Sequence, residues 1–227
     1  EMYGDGASEK LVGQAIRDRR EQAFLVSKVY PHNAGRKAAQ LACERSLKRL
    51  GVDCLDLYLL HWRGDVPFTE TIEAFVALQA QGKIRHWGVS NFDLDDLQAW
   101  CDLPGGDAVA TNQVLYNLTR RGVEWDVLPW CQTRRIPLMA YSPIEQSRLL
   151  NHRAFCALAR QHGFTPAQLA IAWLLRQDRV IAIPKASTRQ HLTENFSALN
   201  CTLDATVLAA LDRLFPPPEH ATALEML

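Results

Sequence analysis

Polar side chains follow several apolar stretches of this sequence, at the point where each stretch stops. The stretch Leu55–Trp62 presents His61, and an apolar stretch beginning at Ala23 leads to Lys28. Other apolar stretches end in hydroxyls, amides or a second lysine: Ser90, Asn91, Gln113, Tyr141, Ser142 and Lys185. No cluster of sulfur or carboxylate ligands occurs among these residues, which argues against a metal site. Lysine, histidine, amide and hydroxyl groups indicate instead a ligand that is anionic or carries an amide.

The stretch around His61 has the length of one strand buried on both faces. In a parallel α/β sheet, ligands bind at the carboxyl ends of the strands, because the loops there can vary while the strands hold their position. A histidine in such a place can equally be an interior residue that is only hydrogen-bonded. His61 therefore indicates a site only together with the other strand ends.

Six strands are expected, each followed by a helix. They start near residues 23, 54, 87, 109, 137 and 180. None of them is followed by a GxGxxG motif, which disfavours a Rossmann fold and favours a (β/α) barrel. In a barrel, the polar residues at the strand ends project toward one mouth.

The helices between these strands have recognisable starts. Ser8 is expected to cap a first helix with Leu11 on its apolar face, and a second helix is expected over residues 36–50. Asp93 is expected to cap the helix that follows it. The segment Thr165-Pro166-Ala167-Gln168 reads as a capping box with proline at the first helical position.

Composition narrows the class of protein. A chain of 227 residues that is 48% hydrophobic and 22% charged can bury a large core. Its 25 basic and 25 acidic residues leave no net charge, so we expect neither a nucleic-acid nor a membrane partner. The six cysteines are scattered without a CxxC pair, which favours small buried residues in a reducing compartment over disulfides or zinc ligands. A cytoplasmic protein is expected.

A set of motifs occurs in order along the whole chain. The set comprises Tyr3-Gly4 before a helix, Ser27-Lys28, Leu59-Leu60-His61-Trp62, GKIRHWGVSNF at residues 82–92, Asn112-Gln113, Tyr141-Ser142-Pro143 and Ile183-Pro184-Lys185. Together these motifs resemble those of the aldo-keto reductases. The resemblance implies an α/β fold of the (β/α)8 TIM-barrel type that reduces aldehydes or ketones to alcohols. It further implies NADPH as cofactor, with NADH possible, a small carbonyl substrate and a monomeric full-length form.

The resemblance assigns catalytic roles to three residues. By position, Tyr3 matches the family's proton donor, Lys28 its lysine and His61 its histidine. Hydride transfer to a carbonyl carbon leaves an alkoxide, which needs a proton donor and hydrogen-bonding groups around its oxygen. The Lys28 ammonium is expected to lower the pKa of Tyr3 from about 10 toward 7, and neutral His61 to orient the carbonyl oxygen.

The resemblance also assigns the cofactor contacts. Ser90, Asn91 and Gln113 would meet the nicotinamide carboxamide, Tyr141 the ring, Ser142 the pyrophosphate, Lys185 the 2′-phosphate, and Glu194 and Asn195 the adenine. Each assignment has an alternative that needs no ligand. Ser90 and Asn91 could cap the next helix, Tyr141 could belong to the core, and Lys185 could be a solvated surface charge.

The chain departs from the family pattern in three places. His191 stands where many members have an arginine on the adenosine phosphate, so the preference for NADPH over NADH is less secure. Gln146 and Ser147 occupy a loop where relatives often have glycine. The family's catalytic aspartate would lie just before Glu1.

A barrel of this class has eight strands, and six are expected here. We therefore expect residues 1–227 to be one barrel domain that lacks its first two βα units, with Tyr3 poorly positioned because no strand precedes it. The alternative to a carbonyl reductase is a barrel that binds nucleotide without turnover, or an inactive fragment of an enzyme.

Overall fold

The computed structural model of the protein describes residues 1–227. The chain divides into two compact units, Glu1–Asn112 and Gln113–Leu227, and each unit is described here by itself.

All six expected strands are present. Their bounds are β1 Val26–Val29, β2 Leu55–Leu60, β3 Ile84–Ser90, β4 Asn112–Leu115, β5 Leu138–Tyr141 and β6 Val180–Ile183. β1 begins later than predicted, because Phe24 is exposed and the Leu25 N–H donates to the Asp56 carboxylate at 2.7 Å. The predicted strand over residues 109–114 is also shifted: β4 runs to Leu115, so Gln113 lies inside the strand and not at its end.

Nine α-helices lie before, between and after the strands. Their bounds are α1 Ala7–Ile16, α2 Arg36–Leu50, α3 Phe68–Ala80, α4 Leu94–Cys101, α5 Val127–Thr133, α6 Arg153–Gln161, α7 Pro166–Leu175, α8 Arg189–Ser197 and α9 Ala205–Leu214. α2 has the predicted bounds, and Gly51 ends it in a left-handed conformation with φ 68°. None of the nine helices combines the length and the apolar character that a membrane span requires.

Two predicted helix caps are confirmed and one is wrong. Thr165 forms the full capping box with Gln168, and the Asp93 side chain accepts a hydrogen bond from the Asp96 N–H at 2.8 Å. Ser8 does not cap α1, because the chain enters this helix through a 3₁₀ turn at Tyr3–Gly6. Gly6, with φ 86°, is the residue at the cap position.

In the first unit, β1, β2 and β3 lie side by side in chain order and pair in parallel. The register places Lys28 opposite Leu59 and Leu59 opposite Gly88. A Cβ atom at Gly88 would lie 2.6 Å from the Thr111 carbonyl oxygen, so only glycine permits this approach of the next backbone segment. All six residues of β2 are buried, which fixes the strand that leads to His61.

In the second unit, β4, β5 and β6 follow one another in chain order. β5 and β6 pair in parallel, with Tyr141 opposite Ile183 at their carboxyl ends. The core of this unit includes α7, where seven of ten residues are buried. Pairing in parallel places Tyr141 and the residues that follow Ile183 at the same edge of the sheet.

Candidate active site

His61 directly follows β2, and both a backbone hydrogen bond and burial of the side chain fix its position. Its N–H donates to the Val29 carbonyl oxygen at 3.0 Å, which continues the ladder between β1 and β2 by one residue. The residue is 7% exposed, so its imidazole lies largely out of water. The predicted delivery of this histidine by a buried strand is therefore correct.

The structure brings Tyr3, Lys28 and His61 together. The Lys28 Nζ donates to the Tyr3 hydroxyl at 3.3 Å, and the same hydroxyl lies 3.5 Å from the His61 Nε2. These three residues come from the 3₁₀ turn before α1, from β1 and from the end of β2. The expectation that Tyr3 would be poorly positioned is wrong, because the turn at Tyr3–Gly6 orders the tyrosine against the two strand ends.

Burial sets the charge of the lysine and the histidine. It lowers the pKa of Lys28 to about 8, and no carboxylate forms an ion pair with this ammonium. Burial, together with the positive charge of Lys28, lowers the pKa of His61 to about 4. At pH 7 the lysine is therefore mostly protonated and the imidazole is neutral.

The tyrosine behaves differently from the prediction. Burial of the phenol, followed by the nearby Tyr30, raises the pKa of Tyr3 above its usual 10, whereas we expected Lys28 to lower it toward 7. Tyr3 as a residue is 55% exposed, but its hydroxyl lies against Lys28 and His61, and moving a phenolate out of water is unfavourable. Tyr3 is thus a neutral phenol at pH 7, the protonation state that a proton donor requires.

The buried carboxylate of Glu9, which the sequence did not indicate as a site residue, stabilises the strand that carries Lys28. Glu9 is 8% exposed and accepts hydrogen bonds from the Ser27 hydroxyl and the Arg49 Nε, both at 2.6 Å. Burial acts to raise the pKa of Glu9, but these hydrogen bonds outweigh it and leave the pKa below its usual value. Because Ser27 precedes Lys28 in β1, Glu9 fixes the strand that carries the lysine in contact with Tyr3.

Ser90 and Asn91 lie at the carboxyl end of β3, as predicted. The Asn91 Nδ2 donates to the His61 carbonyl oxygen at 3.0 Å and to the Ser90 hydroxyl at 3.2 Å. Asn91 adopts a left-handed conformation with φ 57°. The alternative in which these residues cap the next helix is wrong, since Asp93 is the cap of α4.

The other six predicted cofactor residues belong to the second unit. Gln113 is buried within β4, where its Nε2 lies 3.7 Å from the Met139 Sδ. Tyr141 ends β5 and is half-buried, so it is not a fully enclosed core residue. Ser142 follows with φ 54°, and its carbonyl oxygen accepts from the Asn117 Nδ2 at 2.9 Å.

Lys185, Glu194 and Asn195 follow β6. Lys185 is exposed just beyond the strand, on the segment that leads to α8. Asn195 is buried within α8, whereas Glu194 is half-buried and its carbonyl oxygen accepts from the Ser197 hydroxyl at 2.7 Å. These contacts are compatible with either the predicted cofactor role or a structural one.

Comparison with protein-family models identifies the chain. Residues 1–215 match the model described as the aldo/keto reductase family. The methylglyoxal reductase YeaE of Escherichia coli is 50% identical over 232 residues, which cover 100% of this chain and 82% of that protein. A glyoxal reductase of Bacillus subtilis is 33% identical over 213 residues, or 91% of this chain and 75% of that one.

Comparison with solved structures likewise finds aldo-keto reductases. An aldo/keto reductase from Klebsiella pneumoniae, crystallised in complex with NADP and acetate, superposes with a TM-score of 0.98 at 51% identity. The match covers 100% of this chain and 82% of that one. The thermostable aldo-keto reductase Tm1743, in complex with the inhibitor epalrestat, gives a TM-score of 0.86 at 40% identity.

These matches confirm the predicted α/β fold of the (β/α)8 type. They also confirm the prediction of an NAD(P)H-dependent oxidoreductase that reduces carbonyl groups, and they do not favour the non-catalytic alternative. On the family model and on the identity to these relatives, the chain belongs to the aldo/keto reductase family.

Proposed function

We propose that the protein reduces small 2-oxoaldehydes such as methylglyoxal with NADPH, and that Tyr3 is the proton donor. The observation that carries the proposal is the convergence of the Lys28 Nζ and the His61 Nε2 on the Tyr3 hydroxyl, at 3.3 and 3.5 Å. The substrate class is supported by the names of two relatives, a methylglyoxal reductase and a glyoxal reductase. The cofactor is supported by related structures in complex with NADP and with NADPH.

Tyr3, Lys28 and His61 each have a different role in protonating the carbonyl oxygen. NADPH, when bound, supplies the hydride. Neutral His61 donates a hydrogen bond to the carbonyl oxygen and orients it beside the Tyr3 hydroxyl. Tyr3 passes its proton to that oxygen as negative charge develops there, and the ammonium of Lys28 stabilises the tyrosinate that remains. The low pKa of His61 keeps the imidazole neutral, so that Tyr3 is the acid.

Each unit taken by itself has side chains of types that suit part of a nicotinamide dinucleotide. In the first unit, the Ser90 hydroxyl and the Asn91 amide offer donors and acceptors that suit a carboxamide. In the second unit, the Tyr141 ring suits stacking, and the exposed Lys185 suits a phosphate. For Gln113, Ser142, Glu194 and Asn195 we likewise propose the cofactor contacts predicted from the sequence, because their polar side chains can form hydrogen bonds with the cofactor.

We further propose that residues 1–227 form one barrel domain, that the protein is cytoplasmic, that the full-length form is a monomer, and that it binds no nucleic acid. Each of these stays a prediction.

Replacement of Tyr3 tests the catalytic assignment. Tyr3→Phe removes the proposed proton donor and keeps the ring, so we expect turnover of methylglyoxal to fall by at least about a hundredfold while NADPH still binds. Turnover is followed by NADPH absorbance and binding by quenching of tryptophan fluorescence. Tyr30→Phe, which removes a hydroxyl from a neighbouring aromatic residue, is the matched control and should keep turnover. Equal turnover in Tyr3→Phe and wild type would overturn the assignment.

A further inference from the structure

The segment Ser142–Ser147 has an unusual backbone for residues that are not glycine. Ser142, Glu145, Gln146 and Ser147 adopt φ values of 54°, 48°, 51° and 72°. Side chains make this left-handed region unfavourable, and three of the four residues follow one another directly. Such a conformation persists only where surrounding contacts over-determine it. The segment must therefore be held by its neighbours.

Asn151 holds one end of the segment, because its Nδ2 donates to the Ser147 carbonyl oxygen at 3.4 Å. Glu145, which also pairs with Arg148 at 3.3 Å, holds the segment from within. Its side chain is buried, at 4% exposure for the residue. The Oε2 accepts from the Asn117 Nδ2 at 2.8 Å, and the Oε1 accepts from the Arg120 Nη2 at 3.0 Å. Burial acts to raise the pKa of Glu145, but the hydrogen bonds from Arg120 and Asn117 outweigh it and leave the carboxylate ionised.

Asn117 connects this carboxylate to the first residue of the segment. Its Nδ2 donates both to Glu145 and to the Ser142 carbonyl oxygen, the latter at 2.9 Å. Its Oδ1 accepts from the backbone N–H and the hydroxyl of Thr119, each at 2.9 Å. Asn117 is completely buried and these four hydrogen bonds use its whole amide group. One side chain thus fixes both Ser142 and Glu145.

We propose that Glu145 is a positioning residue for cofactor binding, which holds Ser142–Ser147 through Asn117 and Arg120 in the conformation that meets the cofactor's phosphates. This inference rests on the proposed function, in which Ser142 faces the pyrophosphate. Without the carboxylate, Asn117 keeps only the Ser142 carbonyl oxygen as acceptor and Arg120 keeps only Glu225 as carboxylate partner, so that the left-handed residues relax toward ordinary backbone conformations. The binding surface is then formed only in part of the molecules.

The charge of Glu145 allows a positioning role to be distinguished from a direct electrostatic effect on cofactor binding. Glu145→Gln adds one net positive charge beside the segment, and Coulomb attraction alone would tighten the binding of a phosphate. Positioning predicts the opposite sign, because a surface that is formed only part of the time binds more weakly. The sign of the change in affinity therefore separates the two effects.

The test compares two glutamates of the same unit in the intact protein. Glu145→Gln should raise the NADPH dissociation constant about tenfold, speed NADPH dissociation in stopped-flow fluorescence, and raise the KM for NADPH but not for methylglyoxal. Glu124→Gln is the matched control, because Glu124 is also paired with an arginine, Arg121 at 2.7 Å, but makes no hydrogen bond to Ser142–Ser147. We expect it to lower thermal stability and to keep the NADPH affinity within about twofold.

Each outcome of these measurements either supports or overturns the positioning role of Glu145. Unchanged or tighter NADPH binding in Glu145→Gln would overturn it, as would the same loss of affinity in Glu124→Gln. Wild-type protein that does not bind NADPH at all would overturn the proposed function itself. Wild-type protein that binds NADPH while Glu145→Gln binds equally well would overturn the positioning role alone.

Discussion

The Asn91 Nδ2 donates a hydrogen bond to the carbonyl oxygen of His61 at 3.0 Å. This contact joins the carboxyl ends of β3 and β2, which pair in parallel. A residue predicted to bind the cofactor therefore also holds the backbone of a residue predicted to act on the substrate. Asn91 makes this contact from a left-handed conformation with φ 57°.

Two replacements of Asn91 separate its conformation from its hydrogen bond. Asn91→Ala loses the contact to His61 but keeps a Cβ at positive φ, whereas Asn91→Gly loses both the contact and the Cβ that makes this conformation unfavourable. We expect Asn91→Ala to be less stable than Asn91→Gly by roughly 1 kcal/mol in urea unfolding. Both variants should lose carbonyl reduction. Equal stability of the two would show that the left-handed conformation is not maintained.

Activity should depend on pH through Lys28. The pKa of this lysine is lowered to about 8 by burial, so its ammonium is lost as pH rises through that value, whereas Tyr3, with its raised pKa, keeps its proton. We expect kcat/KM for methylglyoxal to fall by about tenfold per pH unit on the alkaline side. Lys28→Arg keeps a positive charge throughout and should shift this fall to higher pH. A fall near pH 8 that persists in Lys28→Arg would rule out Lys28 as its cause.

Stability in acid should depend on His61. Its pKa is lowered from 6.5 to about 4, so between these values the unfolded chain binds a proton that the folded protein does not. The contribution of neutral His61 to the free energy of unfolding is therefore complete above pH 6.5. It is lost as pH falls toward 4, by about 3 kcal/mol at most. Urea unfolding at pH 7 and pH 5 measures it. His61→Gln should flatten this dependence, and replacement of the exposed His220 by glutamine should not; equal slopes in all three proteins would contradict the prediction.

Lys185 should discriminate between the two nicotinamide cofactors. Lys185→Met removes the charge that we propose to contact the 2′-phosphate, which NADH lacks, so we expect NADPH binding to weaken roughly tenfold or more and NADH binding to change little. Arg213→Met removes an exposed charge from α9 and is the control. Fluorescence titration with both cofactors measures the ratio. If NADPH and NADH weaken equally in Lys185→Met, the lysine has a structural role.

Local signals in the sequence predicted much of the fold. α2 has the predicted bounds because its apolar spacing and Gly51 both act within a few residues, and the Thr165 capping box is equally local. α1 shows the limit of such signals. Its cap is Gly6 and not Ser8, and Leu11 on its predicted apolar face is 67% exposed. What covers a helix face is decided by distant parts of the chain, which periodicity does not report.

The candidate site was predictable in its residue types but not in its electrostatics. Tyr3, Lys28 and His61 stand at the expected positions, since their motifs are short and follow recognisable strands. The pKa of Tyr3 could not be predicted, because it depends on how deeply the phenol is buried and on Tyr30 beside it. Glu9 was missed for a related reason: a glutamate on an amphipathic helix is usually solvated, and only the folded chain brings Ser27 and Arg49 to it.

The buried group of Glu9, Ser27 and Arg49 also limits how this protein can change during evolution. Loss of Glu9 removes the acceptor of the Ser27 hydroxyl and of the Arg49 Nε, and loss of Ser27 or Arg49 removes one donor from the buried carboxylate. Single replacements at these three positions should therefore be removed by selection, and lineages should replace them in concert, whereas exposed Leu11 on the same helix is free of that constraint. Because Ser27 adjoins Lys28, we expect substitutions at these three positions to be constrained together with the lysine that contacts Tyr3.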